Sequence, residues 1–377
     1  MAGIYIHIPF CKQACSYCNF HFSTSLRRKN ELVAALLSET DLRKDYLNNE
    51  SIETIYFGGG TPSLLPSEDH SDLIKKIYSA FKVSPDAEIT LETNPDDISE
   101  DKLKNWKDIG INRLSIGVQS FFEEDLAWMN RAHTAKQAVA SLQAAVKQFN
   151  NITVDLIYGT PLLTNENWKK NVDRTVKEGV VHLSCYALTV EPKTPLYKRI
   201  SEQQTSDIDP DKQSEQFLLL MQWMEEAGYE HYEISNFAKP GFVSRHNSAY
   251  WQGKKYLGIG PSAHSFDGGT RQWNISNNNL YIGSIEKGII PYEKETLTPT
   301  QQWNEYLMTS LRTMEGLDLN RVEDAMSHEL HAASRKFIER GLMVEEKRHL
   351  KLTRAGKLLA DGIAAELFFE DLNKIAQ

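Results

Sequence analysis

The chain has 377 residues, 41% hydrophobic and 25% charged, with a formal net charge of −9. That is ordinary soluble composition, long enough for one large domain and a smaller one, and the acidic balance argues against a broad nucleic-acid surface. No apolar run nears the roughly 20 residues of a bilayer span, and Met1 leads into a strand without signal-peptide architecture, so a cytosolic protein is expected.

Residues 4–8 read as a strand that breaks at Pro9 and delivers Cys11, Cys15 and Cys18, three of the four cysteines within eight residues. In a reducing compartment such crowding suits thiolates that hold something. A disulfide would leave one of the three unpaired, and a structural zinc would need a fourth ligand, which His7 or His21 could supply. A four-iron cluster held by three cysteines would instead keep one iron free to bind and reduce a ligand. Cys185, inside the apolar run 180–187, reads as a buried structural thiol.

Downstream, strand and helix patterns alternate. Residues 29–46 carry Leu32, Leu36 and Leu37 at helical spacing, and 53–57 form a strand ending in Gly58-Gly59-Gly60-Thr61-Pro62. Glycines there let backbone approach a ligand closely, although such turns are also common strand-to-helix connections. A helix over 67–82 precedes a strand over 87–91 that ends at Glu92, and a helix over 100–109 precedes a strand over 112–118 that ends at Gln119. The helix 134–149, the strand 152–158 with Asp155 inside it, the helix 165–177 and the strand 181–188 complete the series. About six strand-helix repeats demand parallel strands with right-handed crossovers, hence an α/β barrel or open α/β sheet. Ligands of such folds collect at the carboxyl ends of the strands, where the cysteines, Gly58 to Thr61, Glu92, Gln119 and Asp155 all fall.

Beyond Glu191 the rhythm stops. A polar loop over 201–210, an amphipathic helix over 212–227 and a strand over 228–234 lead to Arg245-His246-Asn247-Ser248-Ala249-Tyr250-Trp251 and a glycine-rich stretch over 256–264. This polar, aromatic, turn-rich segment suggests a binding surface. Helices over 301–314, 319–326 and 331–341, short strands over 342–345 and 349–352, and a last helix from Thr353 give a winged-helix order without a dense basic helix, so a lid or docking role is favoured over DNA binding. The expected division is 1–235, a connecting segment 236–297, and a C-terminal α+β unit 298–377.

Tyr5-Ile6-His7-Ile8-Pro9-Phe10-Cys11 with Cys15 and Cys18, Gly58 to Pro62, Gly117-Val118-Gln119-Ser120-Phe121, Arg131-Ala132-His133 and Asp155-Leu156-Ile157-Tyr158-Gly159-Thr160-Pro161 together resemble a radical S-adenosylmethionine (SAM) protein. More narrowly, they resemble the oxygen-independent coproporphyrinogen III oxidase group. The resemblance spans essentially the whole chain and implies a partial (β/α)6 barrel. It also implies a [4Fe–4S] cluster on Cys11, Cys15 and Cys18 whose fourth iron chelates SAM. Tyr5 and Tyr17 would lie near the cofactor, Gly59, Gly60 and Thr61 would approach its methionine through the backbone, and Glu92, Gln119, Arg131 and Asp155 would contact the rest. A zwitterionic sulfonium ligand calls for such carboxylates, an arginine and backbone polar groups.

Within the group, the oxidases carry a further cysteine two positions after the third ligand and a longer N-terminal extension. Here that position is Phe20, and the barrel begins almost at Met1. His246-Asn247-x-x-Tyr250-Trp251 fits the signature of the HemW-type haem chaperones, in which the histidine is associated with haem. The implied protein is a cytosolic chaperone that takes haem through a surface including His246 and hands it to a haem-requiring acceptor, such as a respiratory enzyme. Its cluster and SAM would gate transfer or support a homodimer, and no catalytic residue is assigned. The alternative is coproporphyrinogen III oxidation by radical chemistry.

Overall fold

The computed structural model describes residues 1–322 and 324–369. Six strands, β1 (Ala2–Ile8), β2 (Ile52–Gly59), β3 (Val83–Thr93), β4 (Arg113–Gln119), β5 (Ile152–Tyr158) and β6 (His182–Ala187), pair in that order, each parallel to the next. Parallel neighbours need crossover connections, which the intervening helices supply. The helix Asn165–Lys177 buries Trp168 and Val172 on one face and starts where the Thr164 hydroxyl accepts the Asn167 amide. Alternate residues of a strand share a face, so Ile4, Ile6 and Ile8, all fully buried, form one face of β1 and Tyr5 and His7 lie on the other. The expected α/β architecture of six parallel strands joined through helices is therefore present.

The sheet is larger than the six-fold rhythm implied. β7 (Glu230–Glu233) and β8 (Asn236–Ala238) extend the β6 edge in antiparallel fashion, and β9 (Lys255–Ile259) pairs parallel with β1 on the other side. β10 (His264–Phe266), β11 (Thr270–Asn274) and β12 (Tyr292–Thr296) complete a 12-stranded sheet bounded by β12 and β7. The stretch 236–297, expected as a connecting segment, thus supplies strands of the main sheet. Its strands are three to five residues long, too short for periodicity to declare them.

Residues Pro299–Leu311 and Asp324–Glu339 are helices that pack with a three-stranded antiparallel sheet, ordered β13 (Leu317–Asp318), β15 (His349–Leu352), β14 (Met343–Glu346). This α+β unit has its own core, including Leu307, Leu311, Phe337 and Leu350. The helix expected over 319–326 is instead a short 3-10 turn, Leu319–Arg321, before the longer helix, and residue 323 lies outside the described residues. The helix expected from Thr353 is split into Arg354–Lys357 and Ala360–Glu366, and residues 370–377 of the expected unit also lie outside the description. Among the described residues no helix is long and apolar enough to cross a membrane.

Candidate functional site

The mouth of the barrel opens into a cavity of about 960 Å3. Every expected site residue lines it except Tyr5 and His246. That volume stands at the upper end of the roughly 300–1,000 Å3 usual for small-molecule sites.

The cysteine loop is held by main-chain bonds to its surroundings. Cys11 N–H donates to Ser23 O at 3.0 Å, Ser16 N–H donates to Met129 O at 3.0 Å, and Ser16 O accepts from Leu196 N–H at 2.8 Å. All three cysteines are unpaired. Burial pushes the Cys11 thiol up to about 11 and Cys18 upward too, so a positive partner would be needed to favour the thiolates. Among the described residues no three His, Cys, Asp or Glu side chains converge closely enough to hold one metal ion. A cluster distributes its thiolates over separate irons, whereas zinc gathers its ligands around one centre. The zinc reading's candidate fourth ligands are both engaged elsewhere: His7 Nε2 lies 3.0 Å from His21 O, and His21 Nε2 lies 2.7 Å from Asn278 Oδ1.

The glycine run closes against this loop. A Cβ on Gly60 would come within 2.6 Å of Phe10 O and 3.0 Å of Cys11 Sγ, and Gly59 sits at a φ of 111°, so neither position accepts a side chain without displacement. From there a polar chain joins two of the cysteines. Thr61 Oγ1 lies 3.6 Å from Cys11 Sγ and accepts from Asn94 Nδ2 at 3.1 Å; Asn94 Oδ1 accepts from Arg131 Nη2 at 2.8 Å, and Arg131 Nη1 lies 3.3 Å from Cys15 Sγ. Arg131 also donates to Gly117 O at 2.7 Å, while its buried Nε has no partner among the described residues. A guanidinium with an unused donor and no ion pair among the described residues is suited to an anionic ligand.

Below the arginine lie two carboxylates. Glu92 accepts from Tyr56 Oη at 2.8 Å and from Gly59 N–H at 3.1 Å; Asp155 accepts from Ser115 Oγ at 3.1 Å. Burial raises Glu92 to about 7, with the charge of Asp155 adding to it, and burial raises Asp155 to about 6. Enclosed acids held this way favour a cationic or hydroxyl-bearing ligand. Gln119, at the end of β4, has a φ of 65° beside a register shift between Gly117 and Gln119, a bulge that re-aims the strand end at the cavity rim. The buried arginine with a spare donor, the paired acids and the glycine cradle together fit a zwitterionic cation.

Tyr5 and His246 occupy a layer further down. Tyr5 Oη lies 3.2 Å from His7 Nδ1, and its ring packs beneath Gly58 and beside Tyr56. The expectation that His246 belongs to a binding surface is corrected: it is 2% exposed, at the barrel floor. Its Nδ1 lies 2.7 Å from Thr54 Oγ1, its Nε2 lies 2.9 Å from Tyr250 Oη, and its ring stacks on Tyr56 at 4.9 Å. Gly3 leaves room for the imidazole, since a Cβ there would meet it at 3.3 Å. The turn-rich segment that contains it is a helix, Arg245–Trp251, whose first two amides donate to the carboxylate of Glu88 on β3. Burial lowers His246 to about 3, which keeps the ring neutral.

Residues 5–175 match the radical SAM superfamily model, and residues 297–359 match the HemN C-terminal domain. The protein named heme chaperone HemW from Mycobacterium tuberculosis is 33% identical over 371 residues, covering 97% of this chain and 94% of its own. The one of the same name from Bacillus subtilis is 34% identical, covering 96% and 98%. The chain belongs to the HemW family of radical SAM proteins. Coproporphyrinogen III oxidase (HemN) from Escherichia coli superposes with a TM-score of 0.84 over 97% of this chain and 90% of that one, at 23% identity, a likeness of fold.

Sequence reasoning missed several groups that this HemW-family chain brings to the cavity. Asn94 lies two residues after Glu92, but nothing in sequence linked it to Thr61 and Arg131. Ser115 and Tyr56 point to the acids from neighbouring strands, at positions that read only as strand interior. Arg312 and Lys357 reach the cavity from the C-terminal unit.

Proposed function

We propose that the chain is a cytosolic haem chaperone that binds haem and delivers it to a haem-requiring acceptor protein. The observation that carries this reading is the near end-to-end match to proteins named heme chaperone HemW. Phe20, 68% exposed on the cavity, agrees with it, because the oxidases of the resembling group carry a cysteine there.

In this reading Cys11, Cys15 and Cys18 hold a [4Fe–4S] cluster, which when bound supplies an electron and an open iron for SAM. Arg131 takes the carboxylate of SAM, Gly59, Gly60 and Thr61 flank its methionine, and Glu92, Gln119 and Asp155 serve its cationic and hydroxyl groups. Tyr17 borders that pocket, and Tyr5 supports its floor from below. These groups gate haem transfer or support dimerisation. His246 reaches iron only if the Arg245–Trp251 helix withdraws from the floor; as described, it secures that floor.

The test uses anaerobically reconstituted protein. Haem titration is expected to give a saturating Soret band, and the loaded protein to restore an apo-haemoprotein. Multiple turnovers of coproporphyrinogen III to protoporphyrinogen, with SAM and a reductant, would overturn the chaperone reading in favour of the oxidase.

A further inference from the structure

The cavity has a second wall, built by the C-terminal unit, with two cations on it. Arg312 is committed: its Nε and Nη2 each lie 3.1 Å from Glu233 Oε1, and its Nη1 lies 3.1 Å from Asp361 Oδ1. Glu233 is in turn used up, its other oxygen accepting from Ser235 N–H at 3.0 Å and Asn236 Nδ2 at 2.6 Å.

Lys357 is different. Its Nζ lies 2.9 Å from His231 Nδ1, and His231 Nε2 lies 2.9 Å from Ile234 O. The ring therefore carries its proton on Nε2 and accepts from the ammonium, a neutral partner for a charged donor. Among the described residues no carboxylate lies within ion-pair distance of Lys357, and two of its three donors lack a short partner. Burial lowers the lysine to about 8, with Glu233 opposing and Arg354 adding to the fall, so it remains largely charged at neutral pH and would gain from an anion. Around the same cavity Phe20, Leu359 and Tyr186 leave 68%, 49% and 43% of their surfaces open. An apolar rim beside a cation that makes no ion pair among the described residues suits a flat apolar body that bears a carboxylate. Glu92 and Asp155 would repel that carboxylate from their side of the cavity, which favours its orientation towards Lys357.

We propose that Lys357 binds a propionate of the tetrapyrrole cargo, whose ring lies against Phe20, Tyr186 and Leu359. This rests on the haem-binding reading. SAM would bring a carboxylate of its own to the same cavity, so the test separates the two sources.

The full chain, wild type and Lys357→Met, is titrated with haem, with haem dimethyl ester and with SAM. Wild type is expected to bind haem about tenfold or more tightly than the ester, Lys357→Met to bind both equally weakly, and Lys357→Arg to recover most of the difference. SAM affinity is expected to stay unchanged in Lys357→Met. If wild type binds haem and ester alike, or Lys357→Met binds haem as wild type does, the subsite is overturned while the chaperone reading stands. A fall in SAM affinity in Lys357→Met would assign the lysine to the other carboxylate and overturn the proposal. If wild type binds neither porphyrin, the chaperone reading falls and the subsite with it. Should Lys357→Met fail to fold, the wild-type haem-to-ester ratio decides alone.

Discussion

The two ends of the barrel are built from the same kinds of residue and differ in what those residues leave undone. At the floor, Glu88 accepts the amides of Arg245 and His246, and His246 is bonded at both ring nitrogens. Arg113 donates to Thr153, Thr153 lies 3.0 Å from His182, and His182 lies 2.7 Å from Tyr232 Oη. Of these groups Arg113 Nε alone lacks a hydrogen bond, and it faces Glu88 at 4.0 Å. At the mouth, Arg131 keeps a spare donor and makes no ion pair among the described residues, and the charge of Asp155 adds to the raising of Glu92. A closed polar network stabilises a fold, whereas an open one pointing into a cavity awaits a ligand. The most motif-like histidine of the chain belongs to the closed end.

The largest effect expected from this contrast is at the cysteines. Cys11→Ala, Cys15→Ala or Cys18→Ala should each abolish iron and sulfide incorporation on anaerobic reconstitution, with far-ultraviolet circular dichroism unchanged, because the loop is anchored by main-chain bonds to Ser23, Met129 and Leu196. Retention of a full cluster in any of them would remove that residue from the ligand set.

Next comes a pair of substitutions that should behave in opposite ways. Arg131→Met is expected to weaken SAM binding by about 10- to 100-fold, the range for losing a charge-assisted hydrogen bond to the ligand, on top of the stability lost as Asn94 and Gly117 O give up their donor. His246→Ala should leave SAM affinity within about threefold of wild type but lower stability by about 2 kcal/mol, because Thr54 and Tyr250 lose a buried partner. The comparison breaks if His246→Ala loses ligand binding while keeping its stability.

How much of this was readable beforehand follows from the same contrast. The mouth is written at strand ends, where a cysteine loop, a glycine run and charged residues interrupt apolar runs, so the residues that converge there announce themselves locally. The floor and the second wall are tertiary: His246 meets Thr54 across 192 residues, and Lys357 meets His231 across 126. No spacing rule carries such contacts. β9 was hidden for a related reason, since its five residues include a glycine and pair with a strand some 250 positions earlier, so neither periodicity nor a neighbouring helix marked it.

The smallest effect is the sharpest test, because the two ends should pull stability in opposite directions with pH. Glu92 is raised to about 7, so between the ordinary carboxylate range and that value the folded chain holds a proton the unfolded chain has released. Its contribution is full below the unfolded value and is lost as pH rises through about 7. His246, lowered to about 3, refuses a proton that the unfolded chain accepts below about 6.5, so its contribution is full above that pH and is lost as pH falls through the window. Urea unfolding of the cofactor-free chain between pH 5 and 7 should therefore show Glu92→Gln steepening the rise of stability with pH and His246→Gln flattening it. Each change is bounded by about 1.4 kcal/mol per pH unit, one proton's worth. Changes of the same sign would mean that both residues answer to a shared field and that the division into an open and a closed end is false. If the sulfonium of SAM settles beside Glu92, saturating SAM should carry the wild-type profile towards that of Glu92→Gln, since a bound cation favours the ionised carboxylate.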